Sequence, residues 1–302
     1  MGTKAHTVPK FYLRGFVAPE SENRRDPYVW IASLTTGKIA RRSPKNISTV
    51  RGLYDGRGGL AEPDASIEAH LSKIESAAST AIRSIATGDA TESVGIPPEV
   101  WRFLAWQAAR APGYMKLVQA WANEPLDSVV VEEPPPGFEE IGYRTHPSLV
   151  EDPASGERRE VDADEFDELR KLGWRWILRT DDRLEALHIQ AWYFQVRHFP
   201  RLSWVWLSAP HGESFITGDR GVVWLVDGYA DAPPAALQHP TAQVVAPLTR
   251  EVALVGRHTT SRLDVTTREV NRLVAFASAD WIAGPTREAV EQALTDRRDP
   301  RH

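Results

Sequence analysis

The sequence predicts an α+β fold, rich in helix, in which a helical bundle packs beside one mainly antiparallel sheet from the C-terminal half. Two observations favour this fold class. Apolar residues recur at the helical period in segments 64–88, 97–122 and 182–199. Short segments rich in β-branched and aromatic residues, separated by turn residues, follow between residues 203 and 257, which is typical of antiparallel strands.

Composition narrows the class of protein. The 302 residues are 42% hydrophobic and 25% charged, as in ordinary soluble globular proteins. The net charge of −5 gives no basic domain of the kind that binds duplex nucleic acid. Residues 14–57 nevertheless carry nine lysines and arginines, so a local basic patch remains possible, although a solvated surface explains them as well.

Several sites are excluded by what the chain lacks. It has no cysteine, which excludes disulfides, thiolate metal sites and cysteine nucleophiles. It has no apolar run long enough for a signal peptide or a membrane span. We therefore expect a cytoplasmic protein without membrane contact, whose 11 tryptophans build its core.

The N-terminal segment is predicted to be anchored inside the fold. "KAHTVPKFYLRGF", at residues 4–16, combines His6 with several aromatic side chains before the first strong secondary-structure signal. Residues 27–43 then read as a β-hairpin, since "PYVWIASL" is strand-like and "TTGK" supplies a turn with glycine.

The first long helix is predicted over 64–88, with Asp64 as N-cap and Gly88 as the C-terminal stop. Its apolar residues form one stripe. Glu68 and Glu75 are seven residues apart and fall on one line at the border of that stripe. Glu75 has an ordinary explanation as the partner of an arginine such as Arg110.

The second and third helices carry polar residues on apolar faces. Gln107 projects into the middle of the apolar face of segment 97–122, and Arg110 lies at its edge. Segment 182–199 is apolar on several sides, which is typical of a central helix. A buried polar side chain costs free energy unless it is paired, so these placements need a reason. A glutamine that bonds a neighbouring loop is the ordinary one.

The irregular, acidic Pro/Gly-rich segment at about 123–165 is interpreted as a surface excursion within a single domain, 1–302. After the C-terminal strands, "TTREVNRLVAFASADWI" is predicted as a helix, with Thr266 and Glu269 in a capping box at its start. Within "SFITGDRGVVW", Asp219 lies in a tight turn between two strands. Its carboxylate could point into a cleft or simply bond its own backbone.

The ordered pieces resemble a bacterial family known only as a domain of unknown function, numbered 4238. The resemblance spans nearly the whole chain and rests on "HTVPKFYLRGF", "SPKNISTVRGLYD", "IEAHLSKIESAA", "FLAWQAARAP", "SFITGDRGVV", "VVAPLTREVALV" and "VNRLVAFASADWI". In the family the turn after "FIT" usually reads like Ser-Asp-Asn-Pro, so Asp219 is kept here while Arg220 and Gly221 depart from the pattern. The resemblance implies a set of positions and no settled activity.

Motif matching to that family adds Tyr12 and Asn46 to the polar candidates. If the fold gathers these positions, they form a polar pocket. We then expect four catalytic residues, which are His6, Glu68, Glu75 and Asp219. We expect four substrate-binding residues, which are Tyr12, Asn46, Gln107 and Arg110.

Three hypotheses follow from this set. In the first, the protein is a metal-dependent phosphoester hydrolase, nuclease-like, in which Glu75 and Asp219 bind Mg or Mn and nucleic acid or a nucleotide is the substrate. In the second, the pocket binds a small ligand or nucleotide without chemistry. In the third, Glu75 and Arg110 belong to a buried ion-pair network that stabilises the fold. The chain contains none of the sequence motifs of known hydrolases, so motifs do not decide between the three hypotheses.

Overall fold

The computed structural model of the chain describes residues 4–47, 49–51, 65–87, 95–111, 148–161, 165, 168–169, 171–176, 191, 194–227, 229–230, 234–258 and 265–297. The chain divides into two compact units. One comprises Met1–Tyr114 and Leu187–His302, and the other comprises Met115–Ala186. The predicted single domain stays a prediction.

The described helices include those predicted to start near residues 64, 97 and 266, and one in the N-terminal segment that was not predicted. They are α1 (Lys10–Arg14), α2 (Ala65–Ala86), α3 (Pro98–Ala109), α4 (Thr267–Ala277) and α5 (Arg287–Arg297). The capping box before α4 is confirmed, because the Thr266 hydroxyl accepts a hydrogen bond from the Glu269 N–H at 3.1 Å. Of the predicted helix 182–199, Phe194–His198 is a π-helical turn, and residues 182–190 lie outside the described part.

The strands pair antiparallel in every described ladder, which confirms the α+β class. In chain order they are β1 (Lys4–His6), β2 (Val29–Ser33), β3 (Ile39–Arg42), β4 (Thr49–Arg51), β5 (Ser148–Glu151), β6 (Arg158–Val161), β7 (Arg175–Trp176), β8 (Ser203–Ser208), β9 (Thr217–Gly218), β10 (Val223–Leu225), β11 (Gln243–Pro247), β12 (Val252–Arg257) and β13 (Trp281–Gly284).

These strands form four sheets, where one was expected. In the larger unit the orders are β10-β11-β12-β8, β3-β2-β13-β9 and β1-β4. The first of them is the predicted C-terminal sheet. The chain changes sheets at the turn between β9 and β10, where Gly221 has a φ of +71° that L-residues with side chains rarely adopt. Because that turn redirects the chain, β9 pairs with β13 instead of continuing the C-terminal sheet.

The core of the larger unit buries the apolar faces that the sequence pattern predicted. Leu71, Ile74, Ala78 and Ile82 of α2 are buried along one stripe. The face of α3 is buried in the same way, and α2 packs against α3. No helix in the described part has both the length and the apolar composition needed to cross a membrane.

The smaller unit contains a three-stranded sheet of order β6-β5-β7. Its small core is formed by Val150, Val161 and Leu169, against which Trp174 packs. The predicted irregular excursion at 123–165 therefore contains the β5–β6 hairpin, and its residues up to 147 lie outside the described part.

Candidate functional site

The turn between β9 and β10 is the point at which several predicted site residues converge. Gln107, from the buried face of α3, donates hydrogen bonds through Nε2 to the carbonyl oxygens of Thr7 and Arg220, at 3.0 and 3.1 Å. Gly221 is so close that a Cβ there would lie 2.9 Å from Cγ of Gln107. The amide therefore joins the N-terminal segment to the sheet-switching turn.

The other end of the same amide holds Arg110. Oε1 of Gln107 accepts from Nε and Nη2 of Arg110 at 3.1 and 2.8 Å. Nη1 of Arg110 donates to Oε1 of Glu75 at 3.0 Å. The guanidinium is buried, with 3% of the side chain exposed, whereas Glu75 is 26% exposed. This predicted ion pair joins α2 to α3.

Tyr12 of α1 reaches the same turn from another direction. Its buried hydroxyl lies 3.1 Å from the Gly221 carbonyl oxygen and 2.5 Å from that of Pro247, and it accepts from the Thr217 hydroxyl at 3.1 Å. Burial raises the pKa of Tyr12 well above its usual value, so the hydroxyl keeps its proton and donates. Tyr12, Gln107, Arg110 and Glu75 thus form one bonded assembly around residues 220–221.

Asp219 belongs to this turn but its carboxylate has different partners. It accepts from the backbone N–H groups of Ala279 and Asp280, between α4 and β13. The side chain is buried, and burial raises the pKa of its carboxyl although the two N–H donors oppose that shift. The described contacts therefore match neither alternative for Asp219, because the carboxylate bonds the backbone of a distant segment instead of its own turn.

The remaining predicted site residues do not join this assembly in the described part. Asn46 is exposed at the end of the 3-10 turn Pro44–Asn46. His6 pairs with Thr49 across β1 and β4, and Glu68 lies in α2, but both of these side chains fall outside the description.

The described donors do not fit a metal ion. Glu75 bonds to Arg110, while Asp219 bonds to backbone N–H groups of residues 279 and 280. Among the side chains that the structure describes, no three histidine, aspartate or glutamate groups come together as a metal site requires. The metal roles of Glu75 and Asp219 stay predictions without support from their contacts.

A separate open pocket of about 520 Å³ lies beside this assembly. Tyr12 belongs to both, and Ser79 of the pocket is one helical turn beyond Glu75 on α2. We call it the Arg14–Arg83 pocket. Its lining consists of Phe11, Tyr12, Arg14, Gly15, Glu22, Ser79, Ile82, Arg83, Ala86, Thr87, Leu248, Thr249, Arg250 and Glu251.

Three arginines and two glutamates set the charge of the Arg14–Arg83 pocket. Arg250 forms ion pairs with both acids, Glu22 at 3.0 Å and Glu251. Arg250 also donates through Nη1 to the Val17 carbonyl oxygen at 3.0 Å, which fixes the β11–β12 turn.

Two cations of the pocket are left without such neutralisation. In the described part of the chain, neither Arg14 nor Arg83 has a hydrogen bond or an ion pair from its guanidinium. Both side chains are exposed. The lining therefore keeps two guanidinium groups available to an anion.

Arg14, Arg83 and Arg250 were not among the site residues predicted from the sequence. A signal was present for Arg83, because Glu75, Ser79 and Arg83 recur every four residues and so lie along one side of α2. No local pattern marks Arg250, which reaches the pocket because the β11–β12 turn packs on Gly15, the residue that ends α1.

Comparison with known proteins gives one match. A family model described as "Protein of unknown function (DUF4238)" matches residues 4–288. No curated protein and no solved structure matches the chain. The family match agrees with the resemblance carried by the opening segment and by the "SFITGDRGVV" turn. Because the family model covers most of the length of the chain, the chain belongs to the DUF4238 family of proteins of unknown function.

Proposed function

We propose that this protein binds a small organic anion of nucleotide size in the Arg14–Arg83 pocket. The observation that carries the proposal is the pair of unneutralised guanidinium groups, Arg14 on α1 and Arg83 on α2, in one open pocket. Guanidinium groups bind phosphate and carboxylate through charge-assisted, often bidentate hydrogen bonds.

The rest of the lining supports an organic ligand. Phe11 offers a partly exposed aromatic ring, and Ile82 and Leu248 add apolar surface. Ser79 and Thr87 add side-chain hydroxyls. A volume of about 520 Å³ lies within the ordinary range for small-molecule sites. A mononucleotide, with one phosphate and one aromatic base, is the ligand that these features match.

The phosphoester hydrolase is the competing function, and the described contacts favour it less. Arg110, the predicted substrate-binding residue that would hold a phosphate, has a buried guanidinium that already donates to Gln107 and Glu75. Glu75 is likewise bonded to Arg110. Buried pairs of this kind support the third hypothesis, a network that stabilises the fold, for these two residues.

The test is calorimetric titration of the purified protein with AMP, GMP, CMP and UMP, with inorganic phosphate for comparison. We expect at least one nucleotide to bind and the double variant Arg14→Ala/Arg83→Ala to bind it at least tenfold more weakly. Each lost charge-assisted hydrogen bond is worth roughly 1.5–3 kcal/mol. Arg102→Ala is the matched control, because Arg102 is an exposed arginine of α3 that does not line the pocket.

Three outcomes would overturn the proposal. The first is that none of the nucleotides binds, and the second is that the double variant binds as the natural protein does. The third is phosphate release from a nucleotide in the presence of Mn²⁺, lost in Glu75→Ala together with a Mn²⁺-dependent thermal shift. That third result would instead support the hydrolase.

A further inference from the structure

We propose that the β2–β3 hairpin is a binding surface for single-stranded nucleic acid, at a place separate from the Arg14–Arg83 pocket. The centre of this surface, called here the hairpin surface, consists of Tyr28, Trp30, Arg41 and Arg287. Arg41 is the direct cross-strand partner of Trp30, and none of the four residues lines the pocket.

Planar groups are arranged in contact on the hairpin surface. The guanidinium of Arg41 lies 4.8 Å from the ring centroid of Tyr28 and 4.7 Å from that of Trp30. Arg287 of α5 lies 5.9 Å from the Trp30 centroid. Arg41 and Arg287 are exposed and the two aromatic rings are half-buried, so the outer groups of this arrangement are guanidinium planes. Unpaired bases stack on aromatic rings and on guanidinium planes alike.

The charge along the hairpin has one sign. Residues 27–47 contain four cations, Lys38, Arg41, Arg42 and Lys45, and no acidic residue. Lys45 pairs with Asp26 from the preceding loop. Within the part of the chain that the structure describes, Lys38, Arg41 and Arg42 have no ion pair. These exposed cations can therefore contact phosphates.

Two acids do reach the hairpin surface, since Arg287 pairs with Glu291 at 2.7 Å and the Tyr28 hydroxyl donates to Glu20, but neither pairs with Arg41 or Arg42. A second Arg-Arg pair in the chain differs from Arg41 and Arg42 in this respect. Arg158 and Arg159 also lie on the outer strand of a sheet, β6, and Arg159 lies 5.0 Å from the centroid of the Trp174 ring. Unlike the hairpin pair, they are matched by acids, because Arg158 pairs with Glu151 at 3.4 Å and Arg159 with Glu165 at 3.0 Å.

Single strands fit these features better than duplexes do. The hairpin carries few cations and the whole chain has a charge of −5, so it lacks the extended basic face of duplex-binding domains. A strand lying along β3, the outer strand of its sheet, would set phosphates beside Arg42 and Lys38 and bases beside Arg41. An acidic protein could form ion pairs with the same cations, but it has no bases to stack on the aromatic and guanidinium planes.

The experiment measures fluorescence anisotropy of labelled dT20 and rU20 with the full chain across a series of salt concentrations. We expect Arg41→Ala/Arg42→Ala to weaken binding at least tenfold. The slope of log affinity against log salt should fall by about 0.7, since Arg42 is the one of the two that lies beside a phosphate and each phosphate contact on a single strand contributes about 0.7. Arg158→Ala/Arg159→Ala is the matched control and should bind as the natural protein does. Far-ultraviolet circular dichroism checks that both variants are folded.

Two results would contradict the proposal. One is that the natural protein binds neither strand at low salt, and the other is that the two double variants lose affinity equally. If duplex DNA or polyglutamate competed as well as unlabelled dT20, the surface would be a general polyanion or acidic-protein site instead. Because Arg14 and Arg83 are unchanged in these variants, the outcome is independent of nucleotide binding in the pocket.

Discussion

Gln107 shows what a single polar side chain does inside an apolar helix face. It is fully buried, and both ends of its amide are bonded: the nitrogen donates to two carbonyl oxygens, and the oxygen accepts twice from Arg110. A buried amide with every group paired stabilises one arrangement of its neighbours, because any other arrangement leaves polar groups unpaired. The neighbour fixed most tightly is Gly221.

Gly221→Ala should therefore be strongly destabilising. A left-handed φ costs a residue with a side chain roughly 1–2 kcal/mol. In addition, the new Cβ would lie 2.9 Å from Gln107 Cγ, and Gln107 cannot shift without weakening its four hydrogen bonds. We expect a total loss of roughly 2–4 kcal/mol in the free energy of unfolding, measured by urea denaturation.

Gly212→Ala is the matched control for that prediction. Gly212 also has a positive φ, +86°, but a Cβ there would meet nothing within 4 Å. It should cost only the backbone strain, roughly 1–2 kcal/mol. Equal losses in the two variants would show that contact with Gln107 contributes nothing.

For Gln107, the sequence could predict the position of the side chain but not its hydrogen-bond partners. Gln107 was recognisable as a polar residue on an apolar face, because helical periodicity is local. Its partners were not, since Thr7 and Arg220 are 100 and 113 residues away along the chain and bond through backbone atoms that every residue type has. The direction of the Asp219 carboxylate was undecidable for the same reason.

At the scale of the elements, α2 and α3 are joined by the ion pair between Glu75 and Arg110. Arg110 lies at the end of α3 and Glu75 in the middle of α2. Arg110→Ala should lower the free energy of unfolding by roughly 3–5 kcal/mol, because it leaves the Glu75 carboxylate and the Gln107 amide oxygen without their donor. Urea denaturation followed by tryptophan fluorescence measures it.

Two further variants identify the cause of that loss. Glu75→Gln keeps an oxygen that can accept from Arg110, so it should cost less than Arg110→Ala. Lys45→Ala breaks the Lys45–Asp26 pair, whose side chains are 51% and 63% exposed, and should cost less than about 1 kcal/mol. A loss in Arg110→Ala no larger than that in Lys45→Ala would refute a stabilising role for the network.

Individual elements were predictable where their pattern is local, and their partners were not. The β2–β3 hairpin, β8 and α4 follow directly from periodicity and capping. β13 was missed because "DWI" continues the apolar pattern of the preceding helix, and only its position between β2 and β9 makes it a strand. Sheet membership depends on one turn, at residues 219–221, which redirects the chain.

On the scale of the whole molecule, charge is distributed unevenly despite the net value of −5. The nine cations of residues 14–57 supply Arg14 to the pocket and Arg41 and Arg42 to the hairpin surface. Composition could predict a local basic patch. It could not predict the pocket, because Arg14, Arg83 and Arg250 come from three distant segments that meet only in the folded chain.

The stability of the larger unit should also depend on pH through His198. This buried residue is the last of the π-helical turn, and burial, together with the positive charges of Arg201 and Arg197, lowers its pKa to about 4. The unfolded chain takes up a proton near pH 6.5, so between about pH 6.5 and 4 the unfolded state binds more protons than the folded state. The free energy of unfolding should therefore fall as pH falls through this window, by up to about 1.4 kcal/mol per pH unit from this group.

Urea denaturation at intervals from pH 7 to 4.5 should give a shallower dependence in His198→Gln than in the natural protein. The exposed Val196 of the same turn provides the control, since Val196→Ala removes no titratable group and should leave the dependence unchanged. Parallel curves for the natural protein and His198→Gln would mean that His198 is protonated equally in both states.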